Sequence, residues 1–229
     1  MPSERSLPDS AAEIDCRRFP GASGGKFVIH FLQVNRYLNR PLAALIVRAV
    51  FRTRVTPNQL TFVSFFIGLA GAFALSRGTP AFFAVGGVLA QLSSVVDCAD
   101  GQLARARNRM SEFGAYLDLI LDRINEFFLI AGVVFGAFAW SGSVRMLVLG
   151  LVALGLYFLE IAVYYLTEIY AGRGIKCRSA ESRGLMLFLI FLFGVVNRLD
   201  LGLYVLFIVS SVMNLYFLYS FLRGGVRSS

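Results

Sequence analysis

The chain of 229 residues is 57% hydrophobic and 14% aromatic, with a mean hydropathy of +0.67 and a formal charge of +8. A soluble domain of ordinary composition is about 45–50% apolar, so the surplus excludes an average water-soluble fold and points to membrane spans. The basic residues cluster at the ends of apolar stretches and form no separate basic face, which argues against a nucleic-acid partner.

Residues 1–25 are polar, hold Pro2, Pro8 and Pro20 and a GASGG run, and contain no apolar core of the kind a secretory signal needs. They read as a disordered tail. Cys16, Cys98 and Cys177 sit in unrelated contexts without CxxC spacing, so neither a disulfide framework nor a zinc site is expected. Residues 26–56 change character. Phe27, Phe31, Val34 and Leu38 fall at i, i+4, i+7 and i+11, with Lys26, Gln33, Arg36 and Arg40 among them. Pro41 suits the first turn of a second short helix that carries Arg48 and Arg52, with Arg54 just beyond. Both pieces read as amphipathic helices lying in the membrane interface. His30 has no partner nearby in sequence and is given no metal or catalytic role.

Six apolar segments follow, near 57–77, 79–103, 113–139, 144–171, 184–198 and 201–222. Each is read as crossing about 30 Å of hydrocarbon, the fifth being the shortest. The expected fold is all-α: a polytopic membrane protein whose six-helix domain, residues 57–222, follows the interfacial helices and precedes a short tail, 223–229. Eighteen of the 22 Lys and Arg residues fall on one side, in the N-terminal region, the 104–112 and 172–183 loops and the C-terminal tail. Only Arg77, Arg145 and Arg198 fall opposite, and Arg123 lies inside a span. By the positive-inside rule, both termini and the 104–112 loop are expected in the cytoplasm.

One stretch organises the rest. Asp97 to Asp122 reads DCADGQLARARNRMSEFGAYLDLILD, in the pattern D-x2-D-G-x2-A-R-x8-G-x3-D-x3-D. On helices, Asp97, Gly101 and Ala104 share a face with Asp100 beside it, and Gly114, Asp118 and Asp122 stack on one stripe. A carboxylate within a span costs roughly 2.5–3.5 kcal/mol on insertion scales, so four that converge call for a compensating cation. Oxygen ligands without His or Cys favour a hard ion, Mg²⁺, Mn²⁺ or Ca²⁺. Gly101 and Gly114 allow a ligand close to the backbone, and Arg105 offers a donor fork for phosphate. Two metals on four aspartates would clamp a diphosphate, which makes phosphoryl chemistry at the membrane surface the functional reading. A cation transporter would also place aspartates in spans, but near the midplane and on broken helices, whereas these lie toward the cytoplasmic ends.

The eight residues Asp97, Asp100, Gly101, Ala104, Arg105, Gly114, Asp118 and Asp122 resemble, spacing included, the signature of the CDP-alcohol phosphotransferase (CDP-alcohol phosphatidyltransferase) family. Upstream, Thr56-Pro57-Asn58-Gln59-Leu60-Thr61 resembles the TPNxLT start of that family's first span. The likeness covers roughly residues 27–222. It implies that Asp97, Asp100, Asp118 and Asp122 bind a pair of Mg²⁺ or Mn²⁺ ions, with Asp122 doubling as the general base. It also implies that Gly101, Ala104, Arg105 and Gly114 line the cytidine diphosphate site, with Pro57, Asn58 and Thr61 nearby. The reaction it implies moves a substituted phosphate from a CDP-alcohol, such as CDP-diacylglycerol, to the hydroxyl of a polar acceptor such as inositol phosphate or glycerol phosphate. CMP leaves. A variant of that chemistry uses CDP-inositol as donor in di-inositol phosphate synthesis. The family also implies a homodimer among membrane lipids. The string FGAYLDLILDRINEFFLIAG looks closer to the inositol-phosphate branch than to the choline or ethanolamine branch.

Three polar or small-residue features leave alternatives open. Arg123 and Glu126, with Glu160, Glu168, Tyr164 and Tyr165, could select the acceptor, or Arg123 could simply pair with Glu160. Arg173, Lys176, Arg178 and Arg183 could bind an anionic acceptor, or serve as cytoplasmic charge against anionic lipid. Gly86-Gly87 and the Gly132/Gly136 pair could bring helices close within one subunit or between two.

Overall fold

A computed structural model of the chain describes residues 35–170 and 179–225, and every regular element among them is helical. A π-helical turn, Asn35–Asn39, leads into α1 (Arg40–Val50). Then come α2 (Pro57–Ser76), α3 (Pro80–Ala106), α4 (Glu112–Ser141), α5 (Val144–Tyr170), α6 (Ser179–Val195) and α7 (Leu199–Gly225). Helices α2, α3, α4, α5 and α7 each carry a stretch long and apolar enough to cross a membrane. The remaining expected span, the fifth, corresponds to α6, whose apolar part among the described residues is shorter and runs from Arg183 to Val195. At about 1.5 Å per residue its 17 described residues extend roughly 26 Å. The protein is an integral membrane protein.

The helix ends follow from the residues that punctuate them. Pro57 and Pro80 occupy first turns, where the missing N–H is not needed. Gly142 closes α4 in the left-handed region at φ 63°, its N–H donating to the Phe138 carbonyl at 2.8 Å. Pro41 falls in the first turn of α1, the second short helix, which continues from the π turn without a break. Asn39 has helical angles, and the wider π turn ends where Pro41 contributes no N–H to the ladder. Residues 26–34, including His30, lie outside the described residues. Helix α1 is two-faced, with Ala43 buried and Leu42, Leu45 and Arg48 exposed.

Two apolar clusters hold the helices together. The larger joins α2 to α7 through Leu75, Phe83, Leu129, Ile130, Leu187 and Leu203. The smaller seats α1 on α2 and α3 through Ala43, Leu60, Val95, Val96, Ala99 and Leu103. The small-residue stripes work within the chain. A Cβ on Gly86 would stand 2.8 Å from the Gly71 carbonyl oxygen, and one on Gly132 or Gly136 would collide with the carbonyls of Ala72 and Leu75. Glycine at these positions lets α2, α3 and α4 meet backbone to backbone, so the Gly132/Gly136 pair is engaged inside the subunit.

Candidate active site

The TPNQLT stretch is a helix start that aims a hydroxyl. Thr56 caps α2 by accepting from the Gln59 N–H at 3.3 Å, and the Gln59 side chain accepts from the Thr56 N–H at 2.9 Å. This is a capping box with Pro57 in the first turn. The helix so begun buries Leu60 against α1 and α3 and turns Thr61 inward. Thr61 Oγ1 donates to Asp100 Oδ2 at 2.6 Å, fixing one carboxylate of α3 from the neighbouring helix.

Asp97 and Asp100 stand one turn apart on α3, and Asp118 faces them from α4. One ligand oxygen from each lies within 4.8 Å of the others. Asp97 Oδ1 and Asp118 Oδ1 are buried without a hydrogen-bond partner. A buried, unpartnered carboxylate oxygen is costly. Two beside a third carboxylate make an all-oxygen donor set that fits a hard divalent ion. Asp122, one turn beyond Asp118, is held differently. Arg183 Nη1 donates to Asp122 Oδ2 at 2.7 Å and to Asp97 Oδ2 at 2.6 Å, while its Nε lies 3.1 Å from Glu126 Oε1. Arg123 pairs with Glu126 at 2.8 Å, so its partner is not Glu160. Separation along the helix decides this: Glu126 is one turn away on the same face. Among the described residues, five carboxylates thus gather with two guanidiniums that pair with three of them, an excess of three formal negative charges.

The remaining candidates ring the same mouth. Arg105 is exposed and folds back along α3, its Nη1 3.4 Å from where a Gly101 Cβ would be. Ala104 is half-buried one turn past Gly101. Ser111 caps α4 by accepting from the Gly114 N–H at 3.0 Å. A side chain at Gly114 would stand 2.9 Å from Ser111 Oγ and 3.3 Å from Asn58 Oδ1, so Asn58 and Gly114 face each other across the ends of α2 and α4. Pro57, Asn58, Thr61, Gly101, Ala104, Arg105 and Gly114 therefore gather at the aspartate end of α2, α3 and α4. Of the four basic acceptor candidates, Arg173, Lys176 and Arg178 lie outside the described residues. Arg183 reads in the sequence as loop charge but belongs to α6, buried among carboxylates that draw its guanidinium inward.

Sequence reasoning missed two supports of this site. Arg107 reads as loop charge, yet its guanidinium donates to the carbonyls of Val50, Phe51 and Thr53 at 2.7, 2.7 and 3.0 Å and also to that of Val55. It pins the α1–α2 linker to the end of α3. Below the aspartates, Gln91 donates to Asn39 Oδ1 at 2.6 Å, Asn39 to Ser94 at 2.8 Å, and Asn125 to Ser93 at 3.1 Å. Lone amides and hydroxyls inside apolar spans were the available signal, because a buried polar group needs a partner.

Comparison with known proteins places this arrangement. The family model for CDP-alcohol phosphatidyltransferase matches residues 54–218, which include every aspartate and capping residue described above. The chain belongs to the CDP-alcohol phosphatidyltransferase family. An archaetidylinositol phosphate synthase of Pyrococcus horikoshii is 30% identical over 156 residues, covering 68% of this chain and 78% of that protein. A bifunctional IPC transferase and DIPP synthase of Thermococcus kodakarensis is 34% identical over 150 residues, 64% of this chain. The chain spans only 31% of that relative's length, and 19% of the corresponding Archaeoglobus fulgidus protein. A crystal structure of Mycobacterium tuberculosis phosphatidylinositol phosphate synthase with CDP-DAG bound superposes with a TM-score of 0.62 at 21% identity, covering 80% of this chain and 92% of that one. The same enzyme with manganese and citrate gives 0.63 at 22% identity, covering 77% and 87%. These two show that the phosphatidyltransferase fold is shared. Family membership sets the cation-transporter alternative aside.

Proposed function

We propose that the chain transfers a substituted phosphate from a CDP-lipid to the hydroxyl of inositol phosphate or a similar polar alcohol, releasing CMP. The observation that carries this reading is the pair of orphaned carboxylate oxygens, Asp97 Oδ1 and Asp118 Oδ1, beside Asp100 at the mouth of α3 and α4. Divalent ions bound there, two with the participation of Asp122, would neutralise the diphosphate and offset charge developing on its oxygens. Gly101 and Gly114 keep the backbone bare beside the aspartates, where the cytidine diphosphate would lie with Asn58 nearby, and Arg105 would reach a phosphate oxygen. Thr61 holds Asp100 in place by its 2.6 Å hydrogen bond. The acceptor oxygen attacks the phosphorus that bears the lipid, the bond to CMP breaks, and the acceptor proton passes to the Asp122 carboxylate.

The CDP-lipid donor draws support from the structural neighbour that binds CDP-DAG, and the acceptor from relatives named archaetidylinositol and phosphatidylinositol phosphate synthases. The relatives named DIPP synthase favour a second reading, in which CDP-inositol is the donor. Residues 57–222 form the catalytic domain, residues 26–56 lie in the interface, and the aspartate mouth faces the cytoplasm in a homodimer. The basic bias of the N-terminal region and the 104–112 loop supports that orientation. The test is CMP release by purified protein with Mg²⁺ or Mn²⁺, CDP-diacylglycerol or CDP-inositol, and inositol phosphate, glycerol phosphate, inositol or serine. Metal-dependent CMP with CDP-diacylglycerol and inositol phosphate is expected. No CMP with any donor would overturn the proposal, and release with CDP-inositol alone would select the second reading.

A further inference from the structure

We infer that the Arg183 guanidinium is a built-in competitor for the second metal position, so that this position fills only when Arg183 leaves it. The inference rests on the metal-dependent reading above and deepens it. The aspartates are not equivalent. Asp97, Asp100 and Asp118 already converge within 4.8 Å, and two of their oxygens lack any partner. That group is open to an ion as it stands. Asp122 is not part of it, because Arg183 Nη1 bridges Asp122 Oδ2 and Asp97 Oδ2 at 2.7 and 2.6 Å. A Mg²⁺ ion shared by those oxygens would need contacts of about 2.0–2.1 Å, so nitrogen and metal exclude each other from one place.

Charge makes the competition two-sided. Among the described residues, the five carboxylates and the two guanidiniums ion-paired with them leave three formal negative charges. One divalent ion in the open position brings the cluster close to neutral with Arg183 still seated. A second ion would make it net positive, and that surplus is what drives Arg183 off its carboxylates. The displaced guanidinium is a forked anion donor at the edge of the site. Arg183 also comes from α6, which is 61 residues from Asp122 and 86 from Asp97 in sequence. The two ligand helices need not move for it to withdraw. The site is thus read as loading in order: first the open position, then the position that Arg183 guards.

Manganese alone is the probe, titrated into the purified full chain in detergent and followed by the EPR signal of the unbound ion. Wild-type protein is expected to bind one ion tightly and a second about tenfold or more weakly, and Arg183→Gln to tighten the second by about tenfold or more. Arg183→Lys keeps a cation in place and is expected to leave the second ion weak. A second readout needs no variant. Phenylglyoxal modification of Arg183, located by peptide mass spectrometry, is expected to rise as the second ion binds, while Arg107 keeps a constant rate as internal control. Unchanged second-ion affinity in Arg183→Gln, or an Arg183 modification rate independent of manganese in wild type, would overturn the competition and leave the metal site standing. Wild-type protein that binds no manganese would overturn the metal-dependent reading and this inference together.

Discussion

The two ends of the α2–α3–α4 bundle are held by different physics. At the end away from the aspartates, glycines let backbones touch: Gly86 against Gly71, Gly132 under the Ala72 carbonyl, Gly136 under that of Leu75. Nothing there needs charge, and close packing supplies the cohesion. At the other end the helices meet through carboxylates that repel one another. They are tied by Thr61 to Asp100, by Arg183 to Asp97 and Asp122, and by Arg107 to the α1–α2 linker. The difference explains how a lipid-embedded site can accept ions. The packed end fixes the helix spacing, and the charged end can exchange its counter-cations without loosening the bundle.

The largest effect is expected where chemistry and cohesion separate most sharply. Asp122→Asn should lower the rate of CMP release by about 10²–10⁴-fold, the usual worth of a general base. Its thermal unfolding midpoint in detergent should fall little, because Arg183 keeps Asp97 and Glu126 as partners. A normal turnover rate would remove Asp122 from the role of base. Gly136→Leu tests the opposite end. Its Cβ would collide with the Leu75 carbonyl, a backbone atom that cannot rotate away. The expected cost is about 1–3 kcal/mol of stability, the ordinary penalty for overpacking. The midpoint should fall clearly while metal affinity per folded molecule is retained. An unchanged midpoint would show that α2 and α4 are not held by contact there.

Arg107 stands between these cases. Arg107→Gln removes a charged fork from four carbonyls, three of them at 2.7–3.0 Å. Those carbonyls are partly solvated, so water replaces much of what is lost and the stability cost should be only about 1 kcal/mol. The linker they belong to ends at Thr56, so the consequence should be read in donor binding. KM for the CDP-alcohol is expected to rise severalfold with a smaller change in kcat. Arg107→Lys should not restore it, because an ammonium cannot present the planar fork. Equal loss of kcat with unchanged KM would place the role of Arg107 elsewhere.

What could be read from the sequence was what repeats locally. Asp97 with Asp100, and Gly114 with Asp118 and Asp122, are one-turn spacings on single helices, and the short loop from Arg107 to Ser111 makes those helices neighbours. Thr56, Pro57 and Gln59 announce a helix start by chemistry that acts over three residues. Arg183 could not be placed this way. Its partners are 61 and 86 residues away, and no periodicity links a residue at the head of α6 to a stripe on α4. The same holds for Asn39 with Gln91 and Ser94, and for Gly68, which lies hard against Asn125. Arg123 shows the converse: the sequence offers Glu160 on another helix as a partner, yet Glu126 lies one turn away and takes the pair. The weak clue to Arg183 was the shortness of its own segment, since an apolar run starting at 184 falls short of the bilayer.

The smallest effect is expected from the arginine that looks most like a salt bridge on inspection. Arg198 contacts Asp200 through Nε and Nη2 at 3.1 and 3.2 Å, in a forked geometry at the start of α7. It differs from Arg183 in one respect that decides the outcome. Arg198 and Asp200 are solvent-exposed, so water and salt screen the pair and compete for both partners. Asp200 keeps a favourable place in the first turn of α7 even without the arginine. Arg198→Gln should therefore leave the unfolding midpoint and the rate of CMP release at their wild-type values. Arg183→Gln, with a similar number of contacts, should change manganese binding. A clear loss of stability in Arg198→Gln would mean that number of contacts, rather than burial, governs what an arginine contributes in this fold.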